Sequence, residues 1–197
     1  MPAASRSELV VLVDEQNRIL GTAPKATVHT AHTPLHRGFS LFLFDRNRRV
    51  LLQRRALGKL TWPGVWSNSC CGHPALGEAV EDAARRRARH ELGLTVEPWV
   101  AVPDFRYRAE LAGVVENEIC PILVASCDGD PQPLEDEVEA VRWLDWDRFV
   151  RQVREHPGNW SPWSVLEVGR LESTRQFRCW LAELDPGCAV DGPGDVA

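Results

Sequence analysis

The run Val115-Glu116-Asn117-Glu118-Ile119-Cys120 sets the tightest limit on what this chain can fold into. Its apolar members mark a buried strand. Side chains alternate along a strand, so Glu116 and Glu118 project from one face and Asn117 from the other. A buried strand needs a covering sheet, and two carboxylates aimed into one space need a cation, a proton or water. With His29 and His36 upstream, a metal ion is the sharpest choice. A second segment, Asn68-Ser69-Cys70-Cys71-Gly72-His73, sets a thiol beside an imidazole.

A chain of 197 residues with 44% hydrophobic content is long enough for one domain with a real core, expected over residues 1–184. Residues 185–197, with Pro, Gly and Asp, read as a disordered tail. The net charge of -5 argues against nucleic acid or an anionic membrane as the main partner, because both reward a basic surface. No apolar run reaches bilayer length, and Met1 to Val13 lacks the pattern of an export signal, so a cytoplasmic protein is expected. Six cysteines in no regular framework, with no Cys-x-x-Cys pair, are expected to be mostly reduced thiols.

Leu9 to Val13, Ile19 to Thr22, Phe39 to Phe44 and Val50 to Gln53 read as strands, the last two joined by a hairpin turn at Asp45-Arg46-Asn47-Arg48. Lys25 to His36 reads as a loop. Gly77 to Leu92 predicts a helix with Val80, Ala84, Ala88 and Leu92 on one side, arginines on the other, and Gly93 as its stop. Val114 to Ala125 and Val141 to Leu144 supply further strands, and Trp146 to Glu155 a helix. A last helix is expected from the N-cap Ser161 and Pro162 to about Leu184. The mixture predicts an α/β (α+β) sandwich around a mixed sheet.

Gly72, Glu78, Arg86 and the stretch Arg87-Ala88-Arg89-His90-Glu91-Leu92-Gly93-Leu94 match the Nudix box in spacing over 23 positions. In Nudix hydrolases a Glu follows that Arg and a Glu-Glu pair comes later, and these acids hold magnesium against a diphosphate. Here Arg87 replaces the first and His90 the leading member of the pair, leaving Glu78 and Glu91. Arginine cannot ligate magnesium and repels it, so the hydrolase metal cluster is crippled.

Joined to its surroundings, this altered box resembles type I isopentenyl diphosphate isomerase, a metal-dependent relative of the Nudix fold. The matching blocks, in the family's order, are Lys25-Ala26-Thr27-Val28-His29-Thr30, Pro34-Leu35-His36, Arg54-Arg55-Ala56, Trp62-Pro63-Gly64-Val65-Trp66, Cys71-Gly72-His73-Pro74, Phe105-Arg106-Tyr107-Arg108, Val115 to Pro121 and Ser161-Pro162-Trp163. The resemblance implies a Nudix-like α/β/α sandwich and an enzyme that interconverts isopentenyl and dimethylallyl diphosphate in isoprenoid biosynthesis. It implies that His29, His36, His73, Glu116 and Glu118 bind one divalent metal, a mixed nitrogen and oxygen set open to Zn2+, Mn2+ or Mg2+. It implies a second Mg2+, carried with the substrate diphosphate, near Glu91 and the backbone carbonyl of Cys71. Lys25, Arg55, Lys59 and Arg87 then meet the phosphate oxygens. Cys71 and Glu118 become the proton-transferring pair, Tyr107 the hydrogen-bonding partner of Glu118, and Trp163 the ring facing a developing carbocation. No flavin or nucleotide cofactor is expected, the partner is a small diphosphate, and the chain is a monomer or weak oligomer.

Two features depart from the family's pattern. His32 offers an imidazole between the two ligand histidines and reads as a surface residue, and Arg37-Gly38 is more polar and flexible than the apolar, small pair expected there. The rival readings are a Nudix-type hydrolase, weakened by the acids missing at positions 87 and 90, and a silent module that only binds a diphosphate.

Overall fold

The computed structural model describes residues 8–184, so the expected tail at 185–197 lies outside it. Two mixed sheets carry the fold, not one. The hairpin β1 (Leu9–Val13) and β2 (Ile19–Pro24) joins β3 (His36–Arg37), β10 (Val114–Ile119) and β9 (Arg106–Leu111) in the order β2-β1-β3-β10-β9. The second sheet runs β12-β5-β4-β11-β8, from β12 (Val138–Asp145), β5 (Arg49–Arg55), β4 (Phe39–Phe44), β11 (Ile122–Ser126) and β8 (Trp99–Val102). Two short strands extend it, β6 (Trp66–Ser67) on β5 and β7 (Cys70–Gly72) on β4.

Two neighbouring strands stitch the sheets together. β3 pairs parallel with β10 in the first sheet, and their continuations β4 and β11 pair parallel in the second. The segment expected as one strand from Val114 to Ala125 is therefore broken at Cys120-Pro121, because Pro121 has no N–H to give to a ladder. At this seam Gly38 N donates to Ile119 O at 3.0 Å and Ser40 N to Pro121 O at 3.1 Å.

β4 is buried along its whole length, which is why its sequence shows no polar alternation. Phe39, Leu41 and Leu43 pack with Ala83, Ala84, Ala88 and Leu92 of α2 (Val80–Leu92). Phe42 and Phe44 face the other way, toward Trp146 and Phe149 of α3 (Trp146–Glu155), Val168 and Leu171 of α4 (Pro162–Ser173), and Phe177 and Leu181 of α5 (Arg175–Glu183). Helices thus cover both faces of the second sheet, the three-layer arrangement that the resemblance implies.

Several local expectations change. Lys25 to His36 is not only loop: α1 (Lys25–Val28) makes a single turn, and β3 exists because His36 pairs with Leu12 on one side and Glu118 on the other. The helix expected from Gly77 starts at Val80, since Gly77 takes a left-handed φ of 82° and Glu78 N closes a turn onto Ala75 O. Gly93 ends it in the left-handed conformation, as read. The last helix is two helices, interrupted at Thr174, whose backbone is extended and whose hydroxyl donates to Arg170 O, a local bond that competes with helix continuation. Ser161 caps α4 by accepting from Ser164 N. Among the described residues Cys70, Cys71, Cys120, Cys127 and Cys179 are free thiols, and no helix is long and apolar enough to cross a membrane.

Candidate active site

Strand register assembles the acidic centre. Glu118 on β10 sits across from His36 on β3 and from Tyr107 on β9, and cross-strand partners share a face. Glu116, two residues back, lies on that same face, so both carboxylates reach the seam between the sheets. His73 follows β7 directly and His29 ends α1, so four separate elements deliver the five side chains.

The three imidazole rings lie 5.1 to 5.7 Å apart between centroids. His29 Nε2 is 3.2 Å from Glu116 Oε2, His36 Nε2 is 3.4 Å from Glu118 Oε1, and His73 Nε2 is 3.0 Å from Glu118 Oε1. The outward nitrogens are fixed by backbone: Nδ1 of His36 donates to Pro34 O at 2.9 Å, and Nδ1 of His29 lies 3.3 Å from Lys25 O. That leaves each Nε2 aimed inward, the second-sphere arrangement that holds imidazole ligands in one tautomer. His29 Nε2, His36 Nε2 and Glu116 Oε2 are buried without a hydrogen-bond partner. These orphaned atoms, in a group of three histidines and two carboxylates whose donor atoms lie inside 4.8 Å within each of two overlapping trios, fit a divalent cation. Burial alone would raise the Glu118 carboxyl, but the imidazoles of His36 and His73 close beside it outweigh it and hold the group well below the ordinary range. Burial depresses His73, whereas His36 is raised, its own burial being outweighed by Glu118. His32 is exposed and apart from this cluster.

A cavity of about 560 Å³ opens beside the cluster, with Cys71, His73, Tyr107, Glu116, Glu118 and Trp163 in its wall. Tyr107 Oη donates to Glu118 Oε2 at 3.0 Å. Burial first and then the Glu118 charge push the tyrosine hydroxyl well up, so it stays protonated. The Cys71 thiol donates to Asn68 Oδ1 at 3.1 Å and has Ser40 Oγ at 3.5 Å. Burial and the Glu167 charge drive it well above an ordinary thiol, so it too carries its proton. Cys70, one residue away, is fully buried on the opposite side in the core under α2. The Trp163 indole donates to Ser67 Oγ at 2.9 Å and lies edge-on to Trp62, its ring 6.2 Å from that of Tyr107.

The four cations line the same cavity, but acids already hold three of them. Lys25 Nζ is 2.5 Å from Glu8 Oε2, Lys59 pairs with Glu137, and Arg87 pairs with Glu91, with Glu137 at 3.1 Å and with Glu8 at 3.2 Å. Arg55 is held by the carbonyls of Thr61 and Trp62. Arg87 is therefore buried inside a charge network and not on a solvated helix face, unlike Arg85 and Arg86, which pair at the surface with Asp82 and Glu78. Burial works to raise the Glu8 carboxyl, but Lys25 and Arg87 hold it down to about 2. Gln53 Nε2 donates to Glu91 Oε2 at 3.3 Å from the neighbouring strand.

Glu8, Ser40, Gln53, Asn68, Glu137 and Glu167 were not singled out by the sequence. Asn68 alone carried a local signal, in its place beside the two cysteines. Glu167 is the least expected, a carboxyl on α4 with 0% exposure and neither oxygen hydrogen-bonded. Its burial, opposed by the Ser40 hydroxyl and reinforced by the Glu118 charge, pushes it up to about 8. An unfolded carboxyl near 4.5 releases its proton first, so between there and about 8 the folded chain binds more protons and stability falls as pH rises. The penalty by pH 8 is on the order of several kcal/mol. Glu167→Gln is accordingly expected to raise Tm by several degrees near pH 8 and to leave it unchanged near pH 4, read by thermal melts across a buffer series.

The NUDIX domain family matches residues 34–164. Proteins named isopentenyl-diphosphate Delta-isomerase are similar over nearly the whole chain. The one from Clavibacter sepedonicus is 50% identical over 181 residues, 90% of this chain and 94% of its own, and that from Mycolicibacterium vanbaalenii is 50% identical over 175 residues, 88% and 96%. In fold, the chain resembles the crystal structure of DR0079 from Deinococcus radiodurans, with a TM-score of 0.60 at 18% identity, covering 76% of this chain and 90% of that one. It also resembles a MutT protein from Methanosarcina mazei, with a TM-score of 0.57 at 16% identity, covering 71% and 96%. The chain belongs to the NUDIX domain family and, within it, to the group named isopentenyl-diphosphate Delta-isomerases.

Proposed function

We propose that this chain interconverts isopentenyl and dimethylallyl diphosphate, with Cys71 and Glu118 as the two groups that move protons. The reaction adds a proton at the terminal alkene carbon and removes another from the carbon nearer the phosphate. An unactivated alkene is a very weak base, so the site needs a positioned acid, a facing base, little water and a group that favours positive charge. The observation that supports this reading is that the Cys71 thiol, the Glu118 carboxylate and the Trp163 ring all border one cavity, with the cationic cluster in the same wall.

Each side chain then has one task. In one direction of turnover one of Cys71 and Glu118 gives a proton and the other takes one, and the reverse direction exchanges them. Asn68 fixes the rotamer of the thiol at the cavity wall by accepting its hydrogen bond, and Tyr107 does the equivalent for Glu118 by donating to it. Trp163 offers its ring to the tertiary carbocation, an attraction of about 0.5 to 2 kcal/mol that grows as water leaves. A divalent ion held by His29, His36, His73, Glu116 and Glu118, whether Zn2+, Mn2+ or Mg2+, supplies fixed positive charge beside the Glu118 carboxylate when bound. Glu91 and the Cys71 carbonyl would hold a second Mg2+ that enters with the diphosphate. Lys25, Arg55, Lys59 and Arg87 take the phosphate oxygens, and substrate phosphate replaces Glu8 and Glu137 as the partner of the lysines.

Purified protein given Mg2+ and isopentenyl diphosphate in D2O is expected to form dimethylallyl diphosphate that carries deuterium, read by NMR or mass spectrometry. A metal-loaded protein that does neither is no isomerase. Release of inorganic phosphate without deuterium uptake would mark a hydrolase instead.

A further inference from the structure

Trp163 has to face a carbocation, and the torsion that turns an indole ring is broad and roughly two-fold. Contact with Trp62 and Tyr107 alone therefore leaves more than one attitude open to the ring. Attitude matters, because an aromatic face is negative and its edge positive. The structure supplies a fixed point: the buried indole N–H donates to Ser67 Oγ at 2.9 Å, with Asn68 Oδ1 farther off at 3.2 Å. Ser67 is held on a rigid frame. It is 1% exposed, pairs across strands with Gln53 of β5, and follows Trp66, whose carbonyl accepts from Ser161 N at 2.8 Å just before α4. A hydroxyl has one proton to give, and that of Ser67 goes to Asn68 Oδ1 at 2.7 Å, which leaves its lone pairs for the indole. The Asn68 amide is itself oriented, its Nδ2 donating to Leu41 O at 3.1 Å and to Cys70 O at 3.0 Å.

We propose that Ser67 is a positioning residue for the isomerisation, one that acts through Trp163 by accepting its N–H and so fixing the ring face toward the reacting carbons. The inference rests on the isomerase reading. Substrate carries no positive charge at its carbons until the alkene is protonated, so the attraction of the ring is realised in the transition state and not on binding. A ring that tilts loses that attraction while the phosphates are held as before. The fold itself depends little on this hydroxyl. Without it the indole N–H still has Asn68 Oδ1 within reach, Ser161 Oγ still donates to Ser164 Oγ at 2.7 Å, and Ser164 Oγ still donates to Asn68 Oδ1 at 3.3 Å. No buried donor of this group is orphaned by its removal, so the variant is expected to fold.

The test uses the metal-loaded full chain with Ser67→Ala, Trp163→Phe and the double variant. Ser67→Ala is expected to lower kcat by about tenfold with KM within twofold of wild type, the mark of an interaction made only in the transition state. Ser67→Thr, which keeps the hydroxyl at a strand position suited to a β-branched residue, is expected to recover most of that loss. Trp163→Phe keeps a ring but has no N–H, so adding Ser67→Ala to it is expected to change kcat by less than twofold further. The indole N–H resonance of Trp163, identified in nitrogen-correlated NMR spectra by its absence from Trp163→Phe, is expected to move in Ser67→Ala. A kcat for Ser67→Ala within twofold of wild type, an unmoved resonance, or a rise in KM that accounts for the lost kcat/KM would overturn the proposal. So would a full tenfold loss on adding Ser67→Ala to Trp163→Phe, which would assign the effect of Ser67 to Asn68 and the thiol instead of the ring. If wild type itself shows no isomerisation, it is the isomerase reading that fails, and the NMR shift still reports whether Ser67 holds the indole.

Discussion

Cys71→Ala is expected to cut kcat by about a thousandfold or more, within the range lost when a positioned proton-transfer group is removed, while metal content and melting temperature stay near those of wild type. Substrate needs one proton handler on each side of its reacting carbons, and alanine leaves one side with a methyl group. The fold has little stake in the sulfur. Cys71 sits at the cavity wall with the core on one side only, and its hydrogen bond to Asn68 is one of several that the amide oxygen accepts, the others coming from Ser67, Ser164 and Trp163. Deuterium uptake from D2O during single-turnover conditions is the sharper measurement, since it reads proton transfer and not product release. Cys70→Ala serves as the control: that thiol packs under α2 and away from the cavity, so its loss is expected to lower stability and not turnover. Equal activity in Cys71→Ala and wild type would remove the thiol from the mechanism.

His29→Ala is expected to lose both metal and turnover. The ring contributes one inward nitrogen, 3.2 Å from Glu116 Oε2, and without it Glu116 and Glu118 crowd a site that has lost a third of its imidazoles. Affinity for a divalent ion should fall by at least about a hundredfold, beyond what loss of an outer-sphere partner brings. Because an ion bound only to the folded state stabilises it, wild type at a hundredfold excess over Kd gains about 2.7 kcal/mol, and the variant should show no such metal-dependent rise in Tm. Elemental analysis of the purified variants and melts with and without chelator separate the two roles: Cys71→Ala keeps the metal-linked shift and His29→Ala loses it. Full metal content in His29→Ala would take that residue out of the ligand set.

Arg87 shows how a motif can be legible while its setting is not. Its place in the altered Nudix box is visible along the chain, and so is the consequence that a cation stands where a hydrolase needs an acid. Its three carboxylate partners are Glu91, one helical turn away, and Glu8 and Glu137, which are 79 and 50 residues distant. Only the first follows from helical spacing. On the proposed reading, substrate phosphate competes with acids for these cations, which no inspection of the box suggests.

Periodicity, caps and ordered motifs are properties of short stretches, and they determined much by themselves. The shared face of Glu116 and Glu118 follows from strand geometry, α3 from Trp146 to Glu155 from its apolar spacing, and the ends of α2 and α4 from Gly93 and Ser161. The ordered blocks around His29, Cys71, Tyr107 and Trp163 carried the family. Tertiary structure alone decided that the sheet divides at Gly38 and Pro121, that Thr174 breaks the last helix, and that Glu167 lies buried with neither oxygen paired. Those outcomes depend on which distant side chains come to share a desolvated space. The cost of burying a charge, or the gain from pairing it, is set by that shared space and not by neighbours along the chain.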